Sequence, residues 1–369
     1  MELDIITLES NIALAFLAVI FSLFYLCFSH VVILTVIKFM YLCPSDKELV
    51  SRSCQAVLIT GCDSGIGLQL AKYFHENTSF TIICGFLDDV TSPGYLQLSQ
   101  MASGGSGCSR LITVALYITT DSEIEEIVSL LNGLIEERRL SGLHALINNA
   151  GVMTYGELGW LTSEQILKQI QVNLIGTVNL TRALLPLIIR NQGRTINISS
   201  VNDFSVFPGL SIYPATKSAI AALSRGLGYE LRKFGAHVVT VRLGDFARLA
   251  NIMNGHSKDR DKMWSEMSVE KRKLYGNYFD QFNNHLLENY GTTSARDFKD
   301  SNIFSDFRRA LLSKSPPPMI TCAPVAFKIF YSIMELSPIW MHYYLFDLLF
   351  KFSFDWRRPI GGLIDQNDK

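Results

Sequence analysis

The sequence predicts an α/β fold: an open, doubly wound parallel sheet, with an N-terminal transmembrane helix before it and a helical C-terminal extension after it. Three observations predict this. Short apolar runs alternate with helical stretches between residues 55 and 242, a glycine-rich turn directly follows the first of those runs, and an uncharged apolar run from Ile12 to Ile37 precedes them all. Strands that alternate with helices pair in parallel, because each right-handed crossover uses a helix to return the chain to the same end of the sheet.

The N-terminal run comes first. It contains no Asp, Glu, Lys or Arg, and roughly 20 apolar residues are enough to cross a bilayer. A cleaved signal peptide would want a basic leader, but Glu2, Asp4 and Glu9 stand there instead. No small-residue cleavage site follows either, so a retained anchor is expected. Lys38, Lys47 and Arg52 flank its C-terminal side, which puts the rest of the chain in the cytosol by the positive-inside rule. The expected organisation is a membrane anchor over 1–43, a linker over 44–53, an α/β domain over 54–250, and a helical region over 251–369. An endoplasmic reticulum membrane location is expected.

Within the central region, strands are expected over 55–60, 80–85, 111–116, 144–147, 195–199 and 236–242. Helices are expected over 66–74, 122–137, 164–189 and 215–234, and the Gly/Ser-rich stretch 103–109 reads as a surface loop. Beyond 251 the chain becomes charged and helical. After Pro316-Pro317-Pro318 comes a tail rich in Phe, Tyr, Trp, Ile and Leu, interrupted by Lys328, Glu335, Pro338, His342, Asp347 and Lys351. Such a tail suits an amphipathic segment that lies on a membrane or roofs an apolar pocket. Extra helices packed on the sheet are the plainer alternative.

Composition narrows the function. The formal net charge is -1 and no basic tract is present, so nucleic acid is not an expected partner. The 7 cysteines are scattered, with no C-x-x-C pair and no Cys/His cluster, so no metal site is expected. The turn Thr60-Gly61-Cys62-Asp63-Ser64-Gly65-Ile66-Gly67 lies between a strand and a helix. There, glycines let backbone approach a pyrophosphate and the helix N-terminus supplies N–H groups and positive dipole. Tyr213 and Lys217 fall one helical turn apart on a shared face. A phenol of ordinary pKa near 10 is no base at neutral pH, and a neighbouring ammonium is expected to lower it.

These motifs, with Asn148-Asn149-Ala150-Gly151, Asn173, Ser200 and Tyr213-Pro214-Ala215-Thr216-Lys217, occur in an order and spacing that resembles the short-chain dehydrogenase/reductase family across about residues 54–245. The resemblance implies a Rossmann-type sheet and NAD(P)-dependent alcohol–carbonyl interconversion. It implies that Gly61, Ser64, Ile66 and Gly67 hold the pyrophosphate, that Asn149, Ala150 and Gly151 line the adenosine side, and that Lys217 reaches the nicotinamide ribose. Tyr213 would be the acid/base, Ser200 would hold the substrate oxygen, and Asn173 would anchor a proton-relay water. Asp63, Asp88 and Asp89 near the ribose position, with no Arg or Lys beside them, favour NAD over NADP.

The sequence also departs from the family pattern. Tyr117 stands where an Asp often reaches the adenine, Leu243-Gly244 replaces Pro-Gly, and Arg248 replaces a Thr. Cys84-Gly85-Phe86-Leu87, Lys262-Met263-Trp264 and Lys273-Leu274-Tyr275-Gly276 resemble the branch holding 17β-hydroxysteroid, retinol and D-β-hydroxybutyrate dehydrogenases. A lipophilic alcohol such as a steroid or retinoid is the favoured substrate, with membrane lipid nearby and a homodimer by family analogy. A 3-hydroxybutyrate-type hydroxy acid bound by Arg248, an NADPH-linked carbonyl reductase, and a non-catalytic membrane scaffold remain as alternatives.

Overall fold

Uninterrupted apolar runs such as Ala56-Val57-Leu58-Ile59 need cover on both faces, because successive strand residues point to opposite sides. The computed structural model provides that cover. It describes residues 22, 25, 29–30, 32–34, 54–87, 91–103, 110–244, 252–253, 255–290 and 302–351. The strands are β1 (Gln55–Thr60), β2 (Thr81–Phe86), β3 (Leu111–Ala115), β4 (Gly142–Asn148), β5 (Arg194–Ser200), β6 (His237–Leu243) and β7 (Met319–Cys322). They form one 7-stranded sheet in the order β3-β2-β1-β4-β5-β6-β7, with every neighbouring pair parallel.

The helices in chain order are α1 (Gly65–Asn77), α2 (Pro93–Ser103), α3 (Asp121–Glu136), α4 (Ser163–Ile170), α5 (Thr177–Arg190), α6 (Ile212–Arg232), α7 (His256–Glu266), α8 (Val269–Tyr290), α9 (Ile303–Leu312), α10 (Val325–Leu336) and α11 (Ile339–Lys351). Val57 and Ile59 point to the face covered by α1 and α9, through Leu70, Phe74, Phe307 and Leu311. Ala56 and Leu58 point to the opposite face, against Leu131 of α3, Leu184 of α5 and Leu231 of α6. A separate aromatic cluster joins Trp160 to Met263 of α7 and to Tyr278, Phe279 and Phe282 of α8.

Three features differ from the sequence expectation. The long helix expected over 164–189 is interrupted by a π-helical stretch at Gln171–Gly176, an insertion often found at functional sites. Helix α2 was not anticipated, since its residues show no strong apolar stripe. Strand β7 and helix α9 belong to the sheet and its core, although the sequence reading grouped them with the C-terminal extension. Two buried polar residues secure that region: Arg194 Nη1 donates to the carbonyls of Ala310 (2.9 Å) and Ser313 (3.0 Å), and His144 Nε2 lies 2.9 Å from the Leu311 carbonyl. Both satisfy carbonyls at the C-terminal end of α9, where a cation is also favoured by the helix dipole.

Most of the expected membrane anchor lies outside the described residues. Those described within it, 22, 25, 29–30 and 32–34, are helical, with Tyr25, Val32, Ile33 and Leu34 exposed. Among the described residues one helix, Ser163–Arg190, is long and apolar enough to cross a membrane. Its Leu180, Leu184, Leu187 and Ile188 pack on the sheet, which makes it a core helix.

Candidate active site

The chain runs outward from β1 to β3 and then crosses back to β4. The C-terminal ends of β1 and β4 therefore flank the switch point, where open α/β sheets hold ligands. The candidate residues gather there. Gly61 and Gly65 take φ values of 69° and 56°, left-handed conformations that favour glycine. A Cβ on Gly67 would stand 2.2 Å from the Gly61 carbonyl oxygen, so only glycine lets α1 start against the turn. The Asn149 side-chain amide donates to the carbonyls of Thr60 (2.8 Å) and Gly61 (3.0 Å). Thr60 Oγ1 accepts from the backbone N–H groups of Asn149 and Ala150, both at 3.0 Å. The glycine turn and the Asn-Asn-Ala-Gly run are thereby stitched into one unit.

Gly61, Asp63, Ser64, Ile66, Asn149, Ala150 and Gly151 line a continuous cleft of about 1730 Å³. Ser64 precedes α1 without capping it through its side chain, and the positive end of that helix faces the cleft. Gly67 packs behind the turn instead of lining it. The two Asp63 carboxylate oxygens accept from the Leu87 N–H at 3.0 and 3.1 Å, which fixes an acid beside the end of β2. Asp88, Asp89 and Arg248 lie outside the described residues. Tyr117, the departure at the end of β3, lines the same cleft and is half-exposed.

Ser200, Tyr213 and Lys217 line the cleft farther along. Ser200 ends β5, and Tyr213 and Lys217 lie in the first turns of α6. Ser200 hydrogen-bonds the Tyr213 side chain. Lys217 Nζ donates to the Ile198 carbonyl at 2.9 Å and lies 5.6 Å from the Tyr213 ring centroid. Asn173 sits in the π-helical stretch just behind the cleft wall. Its side chain clamps the Val152 backbone with two 2.8 Å hydrogen bonds and donates to Thr216 Oγ1 at 3.2 Å. A Cβ on Gly151 would lie 3.4 Å from Asn173 Oδ1 and 3.5 Å from Lys217 Nζ, so glycine keeps the space between them open.

The electrostatics correct one expectation. Burial pushes the Tyr213 phenol up to about 12, with the Ser200 hydrogen bond opposing, and pushes Lys217 down to about 8. The expected lowering of the phenol by the ammonium is outweighed here by burial. Both groups lie in a low-dielectric wall, which disfavours both charged forms, and the ammonium is directed at a carbonyl. At neutral pH Tyr213 therefore carries its proton.

Sequence reasoning missed Thr60 as the joint of the turn, although it directly precedes Gly61. It expected the aromatic tail to lie on a membrane or roof an apolar pocket, but did not name the residues of the far wall, Tyr155, Phe282, Leu286, Phe327, Phe330 and Tyr331. The aromatic tail was the available signal, but nothing local says which rings point inward. Among the described residues no cluster suited to a metal ion occurs.

Comparison with known proteins agrees with this geometry. The short chain dehydrogenase family model matches residues 55–259. The chain is 35% identical over 267 residues to bovine mitochondrial D-beta-hydroxybutyrate dehydrogenase, covering 71% of this chain and 75% of that protein. It is 31% identical over 279 residues to human 17-beta-hydroxysteroid dehydrogenase type 2, covering 75% of this chain and 69% of the other. A short-chain dehydrogenase crystal structure from Streptomyces avermitilis superposes with a TM-score of 0.57 at 22% identity, over 83% of this chain and 100% of that one, and so shares its fold. The protein thus belongs to the short-chain dehydrogenases, NAD(P)-dependent oxidoreductases that act on CH–OH groups.

Proposed function

We propose that this chain oxidises a lipophilic alcohol, such as a steroid or retinoid, with NAD, or reduces the matching ketone or aldehyde with NADH. The observation that carries this reading is one continuous cleft. It runs from the glycine turn past Ser200, Tyr213 and Lys217 to an aromatic wall built from Phe282, Phe327, Phe330 and Tyr331. Apolar walls with a few convergent polar groups suit a largely apolar ligand held by one reactive oxygen.

The turn at 61–67 and the N-terminus of α1 would hold the pyrophosphate, and Asn149, Ala150 and Gly151 the adenosine side. The Asp63 carboxylate favours NAD, because a 2'-phosphate would meet like charge there. When bound, the nicotinamide supplies hydride exchange with the alcohol carbon. The Ser200 hydroxyl would orient the substrate oxygen. In reduction Tyr213, resting as the neutral phenol, would give its proton to the carbonyl oxygen; in oxidation it would first release that proton through the relay, and the resulting phenolate would take the proton of the alcohol. Lys217 would favour the phenolate as it forms and reach the nicotinamide ribose, while Asn173 and the open space above Gly151 would hold a relay water.

The N-terminal run and an exposed apolar face on α10 and α11, including Val325, Phe327, Ile329, Ile333, Ile339 and Trp340, support a membrane setting. Phe327 belongs both to that face and to the cleft lining, which suits a substrate arriving from lipid. An endoplasmic reticulum membrane with the catalytic domain in the cytosol, and a homodimer through the helices bearing Asn173 and Tyr213, complete the proposal.

A second reading has an observation in its favour. Lys168 and Lys262 line the cleft, and cationic groups suit a small hydroxy acid. The Lys262 ammonium is already paired with Glu164, which weakens it. An oxidation screen with NAD and NADP against steroids, retinol and 3-hydroxybutyrate, with Tyr213→Phe as control, separates these readings. NADH formed from steroid or retinol is the expected result, and turnover of 3-hydroxybutyrate alone would remove the lipophilic substrate.

A further inference from the structure

Two structures meet at the substrate end of the cleft: the turn after β5 that carries Ser200, and helix α10, whose Phe327, Phe330 and Tyr331 form the far wall. A buried set of charges joins them. Arg242 Nε donates to Asp203 Oδ2 at 2.8 Å, and Arg242 Nη1 donates to Glu335 Oε1 at 2.8 Å. The Arg242 and Asp203 side chains are 5% and 1% exposed, and that of Glu335 is 27% exposed.

Asp203 is itself tied to the catalytic helix. Ser199 Oγ lies 3.0 Å from Asp203 Oδ2 and 3.1 Å from the Lys217 carbonyl oxygen, while Ser218 Oγ donates to the Asp203 carbonyl at 2.7 Å. The Arg242 guanidinium also lies 4.9 Å from the Phe204 ring centroid. That ring meets Tyr331 edge-on at 6.3 Å. Two routes, one ionic and one aromatic, therefore run from the Ser200 turn to α10.

We propose that Glu335 and Arg242 are positioning residues: the Asp203–Arg242–Glu335 relay sets the distance between the α10 aromatic wall and the Ser200–Tyr213 pair, and so how the alcohol is seated against them. This rests on the alcohol-oxidation reading above. The physical case is directional. Desolvation offsets much of the attraction in a buried ion pair, so such a pair adds little net stability over apolar packing. It does fix geometry, because a guanidinium holds its acceptors at set angles in its plane. Glu335 is the member to test. It is partly exposed, and removing its charge leaves Arg242 paired with Asp203, so the fold is expected to survive.

The test uses the full-length protein and the variants Glu335→Gln and Glu335→Asp, with Arg242→Lys as a second probe. For Glu335→Gln, KM for a lipophilic alcohol should rise about tenfold while kcat and the NADH Kd stay within about twofold. Amide exchange across α10 should quicken about tenfold while that of α1 is unchanged. Glu335→Asp should recover most of the KM, and Arg242→Lys should act in the same direction as Glu335→Gln. Unchanged KM and unchanged α10 exchange in Glu335→Gln would overturn the relay, as would equal loosening of α1 and α10, the mark of a general brace. If the wild-type protein oxidises no lipophilic alcohol, the functional reading falls separately. Amide exchange then still decides the relay, with selective loosening of α10 supporting it and none overturning it.

Discussion

The glycine-turn half of the cleft and its C-terminal wall are built by different means. In the first half, backbone does the work: glycines at 61, 65 and 67 and the side-chain amide of Asn149 shape a turn whose form is written in adjacent residues. In the second, side chains from distant segments meet, such as Arg242 with Glu335 and Lys328 with Asp306 at 3.3 Å. The comparison teaches that local geometry leaves a motif in the sequence, whereas long-range ion pairs leave only isolated charges in an apolar run.

The largest expected effect on binding breaks the first half. Gly67→Ala puts a methyl group 2.2 Å from the Gly61 oxygen, so the turn and α1 must separate. NADH affinity, followed by fluorescence titration, should fall about a hundredfold, with a stability loss of about 2 kcal/mol seen in denaturant melts. Wild-type NADH affinity in this variant would show that the turn does not need its close packing.

Lys217 gives a smaller effect with a definite sign. Its folded pKa of about 8 lies below the ordinary lysine value of 10.5, so between those values the unfolded chain holds the proton more tightly. Stability from this group therefore rises as pH climbs through that window and is reduced below it. Tyr213, raised to about 12 from 10.0, works in the opposite direction above pH 10. Between pH 8 and 10, wild-type stability should gain about 2 kcal/mol relative to Lys217→Met. Parallel stability–pH curves for the two proteins would mean the ammonium is not buried as described.

The smallest effect sharpens the other side of the comparison. Phe330→Ala removes part of the far wall and nothing near the glycine turn. KM for a lipophilic alcohol should rise about fivefold in steady-state assays, with NADH affinity unchanged. A matching loss of NADH affinity would mean the two ends of the cleft are not separate.

Much of this molecule was legible in advance because parallel strands buried on both faces read as apolar runs. The strand at Gln55–Thr60 and the helix over Asp121–Glu136 stand within a residue of their expected limits. Strand β7 escaped because a short edge strand after three prolines carries little pattern of its own. The π-helical stretch escaped because apolar spacing does not distinguish one extra residue per turn. In the site, identity was readable but environment was not. Tyr213 and Lys217 share a helix face as their spacing implies, yet burial by residues far apart in sequence raises the phenol instead of lowering it. Lys328, Glu335 and His342, which looked like interruptions of an apolar tail, tie α10 and α11 down. They meet Asp306, Arg242 and the Met334 carbonyl.

The most direct measurement is the rate of NADH formation from a lipophilic alcohol by the full-length protein saturated with NAD, wild type against Tyr213→Phe. That substitution removes one oxygen and leaves the ring. The account predicts a rate lower by about a thousandfold with NAD affinity unchanged. Wild-type turnover by Tyr213→Phe would contradict it, because the proton would then travel by another route.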